Sequence, residues 1–135
     1  MDWQRLFAPK VVDAQEAVSR IMRGSRVFIG TGCGEPQHLI RAMVKDERLQ
    51  DIMIYQMLSS TLSQFVEDES FIRRFSLKLF FISQSTRKAA FDGKIDYIPE
   101  YLSQIPRLFA SHQIGLDVAL VQVSPPDKFG YCSLG

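Results

Sequence analysis

The segment GTGCGEP places glycines at positions 30, 32 and 34 and follows them with a carboxylate, Glu35. Glycine lets a backbone approach a ligand closely, and a helix that begins just after such a turn favours anions. The dinucleotide fingerprint G-x-G-x-x-G would need a glycine where Glu35 stands, and the lysine of a P-loop is also absent. The segment therefore predicts a tight strand-to-helix turn around Gly30, Gly32 and Gly34, with or without a bound ligand.

Two side chains of this turn could take part in chemistry. Cys33 would be activated as a nucleophile by a helix start, yet neither His38 nor His112 is visibly its partner, so a passive small residue is the favoured interpretation. Glu35 could cap the following helix through its negative charge, or it could line a binding rim.

Three further polar segments each follow an apolar run: Ser59–Thr61, Ser83–Arg87 and Ser124–Gly130. Arg87 could bind a carboxylate or phosphate through two parallel hydrogen bonds, and a surface salt bridge is the alternative. The two prolines of the last segment predict a rigid turn that no strand can cross.

The elements that would position these segments alternate along the chain. Apolar stripes at helical spacing predict helices over residues 13–23, 36–45 and 103–112, helical turns over 62–72, and a short helix that Ser85 or Thr86 caps and that ends at Ala90. Short β-branched and aromatic runs predict strands over 26–30, 51–58, 77–83 and 117–123, an extended segment over 95–99, and the start of another strand over 131–134. This alternation predicts an α/β fold, a mostly parallel Rossmann-like sheet with flanking helices. Ligands bind beyond the carboxyl ends of the strands in such sheets, so the four polar segments should share one rim.

Length and charge limit the function classes. A chain of 135 residues is sized for one domain, and its 16 basic and 15 acidic residues nearly cancel. This balance argues against a nucleic-acid partner or a membrane surface. The absence of a secretory signal or a spanning apolar run points to the cytoplasm. The two cysteines fit no metal spacing, so we expect reduced thiols and no metal site.

Three stretches, VFIGTGCGEPQHLI, DYIPEYLSQIPRLF and DVALVQVSPPDKFGYCSLG, together resemble the amino-terminal region of the acetyl-CoA hydrolase/transferase family. This family includes the 4-hydroxybutyrate and acetate CoA-transferases. The SPPD-x-x-GYCSLG stretch is the most specific part. Lys128-Phe129 and Gln104 depart from the family's usual Glu-His and Glu.

The resemblance implies that residues 1–135 are the amino-terminal domain of a two-domain enzyme. This enzyme would move CoA between carboxylates or hydrolyse acetyl-CoA, with coenzyme A as substrate and no covalently bound cofactor. It implies a nucleophilic glutamate and a CoA-binding loop in a carboxyl-terminal domain that this chain lacks, so no catalytic residue is expected here and the chain alone should be inactive. Acyl-CoA, small carboxylates and the missing domain (followed in some members by a fused acetyltransferase domain) are the implied partners. The apolar face and terminal strand that the missing domain would leave bare predict, in addition, that copies of the chain associate with one another.

The resemblance also implies that the predicted rim forms one wall of the substrate cleft. Its substrate-binding residues would be Gly30, Gly32, Cys33, Gly34, Glu35, Ser59, Ser60, Ser85 and Arg87. Two alternatives stay open at this point: a free-standing module that binds a small ligand or nucleotide, and a subunit-interaction module without catalysis.

Overall fold

The computed structural model describes residues 3–134 and shows one five-stranded, all-parallel sheet. The strands are β1 (Arg26–Ile29), β2 (Ile52–Gln56), β3 (Phe75–Leu79), β4 (Asp96–Tyr97) and β5 (Val118–Leu120). Their order across the sheet is β4-β3-β2-β1-β5. The chain therefore moves outward in one direction from β1 to β4 and then returns to the opposite side of β1. The direction reverses between β1 and β5, which is the topological switch point of the sheet.

Within residues 3–134, six α-helices connect or precede the strands. They are α1 (Trp3–Phe7), α2 (Ala14–Ser19), α3 (Gln37–Lys45), α4 (Glu69–Arg74), α5 (Gln84–Phe91) and α6 (Ile105–Ala110). None of the helices in the described part of the chain has the length and apolar character needed to cross a bilayer.

The sheet separates two hydrophobic cores because successive residues of a strand point to opposite faces. In β1, Val27 and Ile29 pack into the larger core, whereas Phe28 packs into the smaller one. Helices α2 to α5 supply the larger core and α6 covers the other face, where Phe109 contacts Phe28 edge-on at 5.6 Å between ring centroids. The predicted α/β class with a parallel sheet is confirmed.

Several predicted boundaries are wrong. The helix predicted over 13–23 begins after its predicted cap, Asp13, but ends at Ser19, because the chain turns through Gly24 at a φ of +79° to enter β1. The third strand starts at Phe75 and ends at Leu79, earlier than predicted. The predicted strand over 117–123 has three residues.

The cap predicted for α5 is also wrong. The helix begins after Ser83, whose backbone N–H donates to Thr86 Oγ1 at 3.1 Å, so that Thr86 closes a capping box rather than starting the helix. Each hydroxyl thereby satisfies a group that the first helical turn leaves open.

No strand forms over residues 131–134, which corrects the expectation of another strand there. These residues instead return along the segment that follows β5. Ser124 N–H donates to Ser133 O at 2.9 Å, and Asp127 N–H donates to Tyr131 O at 2.9 Å. Gly130 turns the chain at a φ of +90°. The apolar pattern that predicted a strand thus belongs to one limb of a local loop.

Candidate functional site

The carboxyl ends of the parallel strands bring the predicted polar segments to one edge of the sheet. Residues 30–35 follow β1, 57–61 follow β2, 80–83 follow β3 and 121–134 follow β5. This edge, called the carboxyl-end rim below, is where an open α/β sheet binds its ligands.

Glu35 joins the segment after β1 to the segment after β2. Its side chain is only 3% exposed, and both carboxylate oxygens are occupied. Oε1 accepts from Gln56 Nε2 at 2.8 Å and from Ser60 N–H at 3.1 Å. Oε2 accepts from Thr61 N–H at 3.1 Å and from the Thr61 hydroxyl at 2.7 Å. The negative charge is held by hydrogen-bond donors, which is how a protein stabilises a buried carboxylate without a cation.

Gln56, the last residue of β2, fixes the base of this arrangement. Its amide nitrogen also donates to Gly30 O at 3.1 Å. Because two acceptors, Gly30 O and the Glu35 carboxylate, share this nitrogen, the orientation of the amide is determined by its partners.

A second contact fastens the same two segments nearer to the surface. The Thr31 hydroxyl donates to Leu58 O at 2.6 Å and accepts from Leu58 N–H at 3.0 Å. We call the segments joined by Thr31 and Glu35 the β1–β2 interlock, comprising residues 30–35 and 56–61. Between its two fastenings, residues 32–34 form an exposed 3₁₀ turn.

The turn depends on glycine at two positions. A Cβ on Gly30 would lie 2.9 Å from Gly34 O, closer than real side-chain atoms approach a backbone oxygen. Gly32 has a φ of +62°, in the left-handed region that other residues rarely adopt. Only glycine therefore permits the chain to fold back this tightly.

Arg87 lies on the same rim, within the first turns of α5. It is exposed, and it forms no hydrogen bond or ion pair among the residues that the structure describes. A cation near the amino-terminal end of a helix gains nothing from the helix dipole. Ser85 is exposed beside it, with its hydroxyl 2.8 Å from that of Ser83. The predicted salt-bridge alternative for Arg87 finds no partner in residues 3–134.

A shallow pocket of about 230 Å³ lies at the switch point, on the β5 side of the glycine turn. It is lined by Cys33, Gly34, residues 122–124 and residues 133–134. The Cys33 thiol is exposed, as is that of Cys132, and neither forms a disulfide within the described residues. Within residues 3–134 no three His, Cys, Asp or Glu side chains are grouped so as to hold a metal ion.

The two predicted serines of the β2 segment have different surroundings. Ser60 is exposed on the rim, whereas Ser59 is 3% exposed and its hydroxyl has no hydrogen-bond partner within the described residues. The side-chain oxygen of Gln56, Oε1, is likewise buried and has no hydrogen-bond partner within the described residues. The structure thus groups Ser60 with the glycine turn and places Ser59 beneath the surface.

Two residues that hold this site together, Gln56 and Thr31, were not among the predicted site residues. Gln56 had a detectable signal, because it is the one strongly polar residue within the apolar run of residues 52–58. Thr31 had none, since a threonine in a turn has many uses. Residues 98–102, which follow β4 to the same rim, were also missed, although Tyr101 and Leu102 are exposed there.

Comparisons with known proteins find similar chains among the CoA transferases. The chain is 37% identical to a 4-hydroxybutyrate coenzyme A transferase of Clostridium kluyveri, over all of this chain and 32% of that protein. It is 36% identical to a succinyl-CoA:acetate/propanoyl-CoA:succinate CoA transferase of Fasciola hepatica, over 91% of this chain and 26% of that protein. The chain spans between about a quarter and a third of the length of these curated relatives.

Solved structures share the fold. RipA from Yersinia pestis superimposes with a TM-score of 0.87 at 29% identity, covering 100% of this chain and 34% of that chain. A 4-hydroxybutyrate CoA-transferase from Porphyromonas gingivalis gives a TM-score of 0.66 at 27% identity, over 99% of this chain and 30% of that chain. The family model for the acetyl-CoA hydrolase/transferase N-terminal domain matches residues 1–135. The chain therefore belongs to the acetyl-CoA hydrolase/transferase family, within its amino-terminal domain.

Proposed function

We propose that this chain is the amino-terminal part of an enzyme that transfers CoA between an acyl-CoA and a carboxylate, and that its carboxyl-end rim forms one wall of the substrate cleft. The observation that carries the proposal is the match of residues 1–135 to the family's amino-terminal domain. The curated relatives named above are CoA transferases, which favours transfer over hydrolysis. Coenzyme A enters as a substrate, and no resident cofactor is part of the proposal.

The chemistry divides between this chain and the rest of the enzyme. A glutamate outside residues 1–135 attacks the thioester carbonyl, the CoA thiolate leaves and a mixed anhydride forms. The thiolate then attacks the glutamyl carbonyl, which releases the carboxylate and leaves a glutamyl-CoA thioester. Covalent catalysis of this kind needs the substrate held beside the nucleophile in a fixed orientation.

Binding and orientation are the roles proposed for this chain. Arg87 is exposed and has no ionic partner in the described structure, so it is available to bind a substrate carboxylate. Ser60, Ser85 and the exposed turn of residues 32–34 offer polar groups along the same rim. Glu35 is proposed to contribute through the loops it holds, because its own oxygens are already occupied.

A labelling experiment tests this division. The polypeptide at its natural length is incubated with acetyl-CoA without an acceptor, digested and analysed by mass spectrometry. We expect CoA bound to a glutamate beyond position 135, and we expect residues 1–135 alone to show no turnover with acetyl-CoA and a carboxylate acceptor. CoA bound to Glu35, or turnover by residues 1–135 that Glu35→Gln abolishes, would overturn the proposal.

A further inference from the structure

The glycine turn and the segment after β2 belong to different strands, yet Glu35 contacts both. Its backbone N–H donates to Gly32 O at 3.2 Å, which closes the turn. Its carboxylate accepts from the backbone N–H groups of Ser60 and Thr61. One residue thus connects the exposed part of one segment to the exposed part of the other.

We propose that Glu35 is a positioning residue for the substrate cleft: it holds residues 58–61 against the glycine turn, so that Ser60 and the turn face the substrate at a fixed spacing. This inference rests on the proposed function. It gives Glu35 a role in orienting the substrate that requires no direct contact between its side chain and the substrate.

The hydrogen bonds explain why a carboxylate occupies this position. Every group that faces it is a donor: the Gln56 amide nitrogen, two backbone N–H groups and the Thr61 hydroxyl. A glutamine at position 35 would present one NH₂ group to these donors. Rotating the Gln56 amide to compensate would turn its oxygen toward Gly30 O. An acceptor-only side chain is therefore required to satisfy the whole set.

The position of Ser60 links this network to the rim. Its N–H is bound inward by Glu35, while the residue itself is exposed. Thr61, the next residue, is only 2% exposed and is held by both its N–H and its hydroxyl. Loss of the carboxylate would free the backbone at both residues and allow Ser60 to move relative to the turn. A displacement of about 1 Å at a binding site can reduce catalysis about 100-fold.

The test uses the enzyme at its natural length and two pairs of variants. Glu35→Gln is compared with Glu16→Gln, a matched change at an exposed glutamate of α2 that pairs with Arg20. Thr61→Val removes the hydroxyl that donates to Glu35, and Thr61→Ser retains it. Steady-state CoA transfer gives kcat and KM, and hydrogen exchange measured by mass spectrometry reports on residues 57–64.

For Glu35→Gln we expect a fall of about 100-fold in kcat with KM changed by less than about threefold, together with faster exchange over residues 57–64. Glu16→Gln should match wild type in both measurements. Thr61→Val should lose about tenfold in kcat, whereas Thr61→Ser should stay within about twofold of wild type, because one bond of a charged network is lost in the first and kept in the second.

Three outcomes would overturn the inference. Faster exchange in Glu35→Gln with kcat and KM unchanged per folded molecule would make the interlock purely structural. Equal behaviour of Thr61→Val and Thr61→Ser would do the same, and this pair decides the matter if Glu35→Gln does not fold. Wild-type enzyme without CoA transfer would overturn the proposed function as well, whereas active wild type with an equally active Glu35→Gln variant overturns the positioning role alone.

Discussion

β1 has a neighbour on each side, and the two sides of the rim are built differently. Toward β2, the β1–β2 interlock fastens residues 30–35 to residues 56–61 through the buried hydrogen bonds of Glu35 and the exposed ones between Thr31 and Leu58. Toward β5, residues 121–134 form a loop whose backbone bonds join Ser124 to Ser133 and Asp127 to Tyr131. The first region is held by another strand, and the second is closed mainly on itself.

Apolar exposure follows the same division. The interlock buries the side chains of Glu35, Gln56 and Thr61 and exposes one large apolar side chain, Leu58. The β5 side, residues 121–134, exposes five large apolar side chains: Val121, Val123, Phe129, Tyr131 and Leu134. Scattered exposed apolar residues are ordinary, but a concentration in one segment indicates a surface that another part of a protein covers. The comparison teaches that the rim is held by hydrogen bonds between strands on its β2 side and exposes apolar side chains on its β5 side.

The largest expected effect is on the stability of the interlock. Glu35→Gln should lower the free energy of unfolding by on the order of 2–4 kcal/mol, because buried donors lose a charged acceptor. Tyr131→Ser, in the exposed loop, should change it by less than about 0.5 kcal/mol. Urea denaturation of both variants and wild type gives the values. Equal losses in the two variants would show that the loop after β5 is as firmly packed as the interlock.

Arg87 tests whether the organised side of the rim binds substrate. In the enzyme at its natural length, Arg87→Ala should raise KM for the carboxylate substrate roughly 10- to 150-fold, corresponding to about 1.5–3 kcal/mol for a charged hydrogen-bonded contact. Arg73→Ala, at an exposed arginine of α4 that pairs with Glu69, is the matched control. If both variants keep the wild-type KM, Arg87 belongs to the solvated surface.

Much of the fold was predictable because hydrophobic periodicity determines which elements form. The apolar runs of β1 and β2 and the stripes of α3 and α6 identify a two-faced parallel sheet before any coordinates. Boundaries were less predictable, since they depend on contacts between elements. The reciprocal bonds of Ser83 and Thr86 choose the cap of α5, and sequence alone offered Ser85 and Thr86 as equal candidates.

The location of the site was predictable from the sequence, but the hydrogen bonds that hold its residues together were not. The rule that ligands bind at strand carboxyl ends placed the glycine turn and the serine segment on one rim. The burial of Glu35 could not be read from the sequence, because its donors come from residues 56–61, more than twenty positions away. The strand predicted over residues 131–134 was wrong for a related reason, because an apolar run has the same pattern whether it joins a sheet or a local loop.

The β5 side gives a prediction about association. We expect residues 1–135 to self-associate at tens of micromolar, because exposed apolar side chains and the outer edge of β5 can pair with a second copy. Val123→Lys should weaken this association about tenfold, or about 1.4 kcal/mol, by placing a charge in the contact. Phe91→Lys, at an apolar residue of α5 that is 86% exposed, is the control.

Light scattering coupled to size exclusion measures the association. A wild-type chain that stays monomeric at high concentration would refute the prediction. If Val123→Lys and Phe91→Lys weaken the association equally, the contact between copies does not lie on the β5 side.

A smaller effect is expected at the opposite end of the β1–β5 pair. Arg26 donates through its side chain and its backbone N–H to Asp117, and these bonds lower the pKa of Asp117 from 3.8 to about 2. A carboxyl whose pKa is lower when folded stabilises the protein above pH 3.8, and this contribution is lost as the pH falls toward 2. The pair is partly exposed, so salt should weaken it.

Asp117→Asn should therefore lose less stability than wild type when the pH falls through this window. Unfolding followed by circular dichroism at a series of acidic pH values, at low and at high salt, measures the difference. Parallel acid transitions for the two proteins would show that the Arg26–Asp117 pair does not hold β5 to β1.

The smallest expected effect separates two neighbouring hydroxyls of the interlock. The Thr61 hydroxyl donates to Glu35 at 2.7 Å, whereas the Ser59 hydroxyl is buried without a partner in the described structure. Removing an unpaired buried hydroxyl costs little and relieves its desolvation, so Ser59→Ala should stay within about 0.5 kcal/mol of wild type or be slightly more stable. Thr61→Val should lose about 1.5 kcal/mol or more, because a charged acceptor loses its donor. Thermal unfolding of the two variants compares them directly. A loss in Ser59→Ala as large as that in Thr61→Val would reveal a hydrogen-bond partner for Ser59, and Ser59 would then help to hold the interlock as Thr61 does.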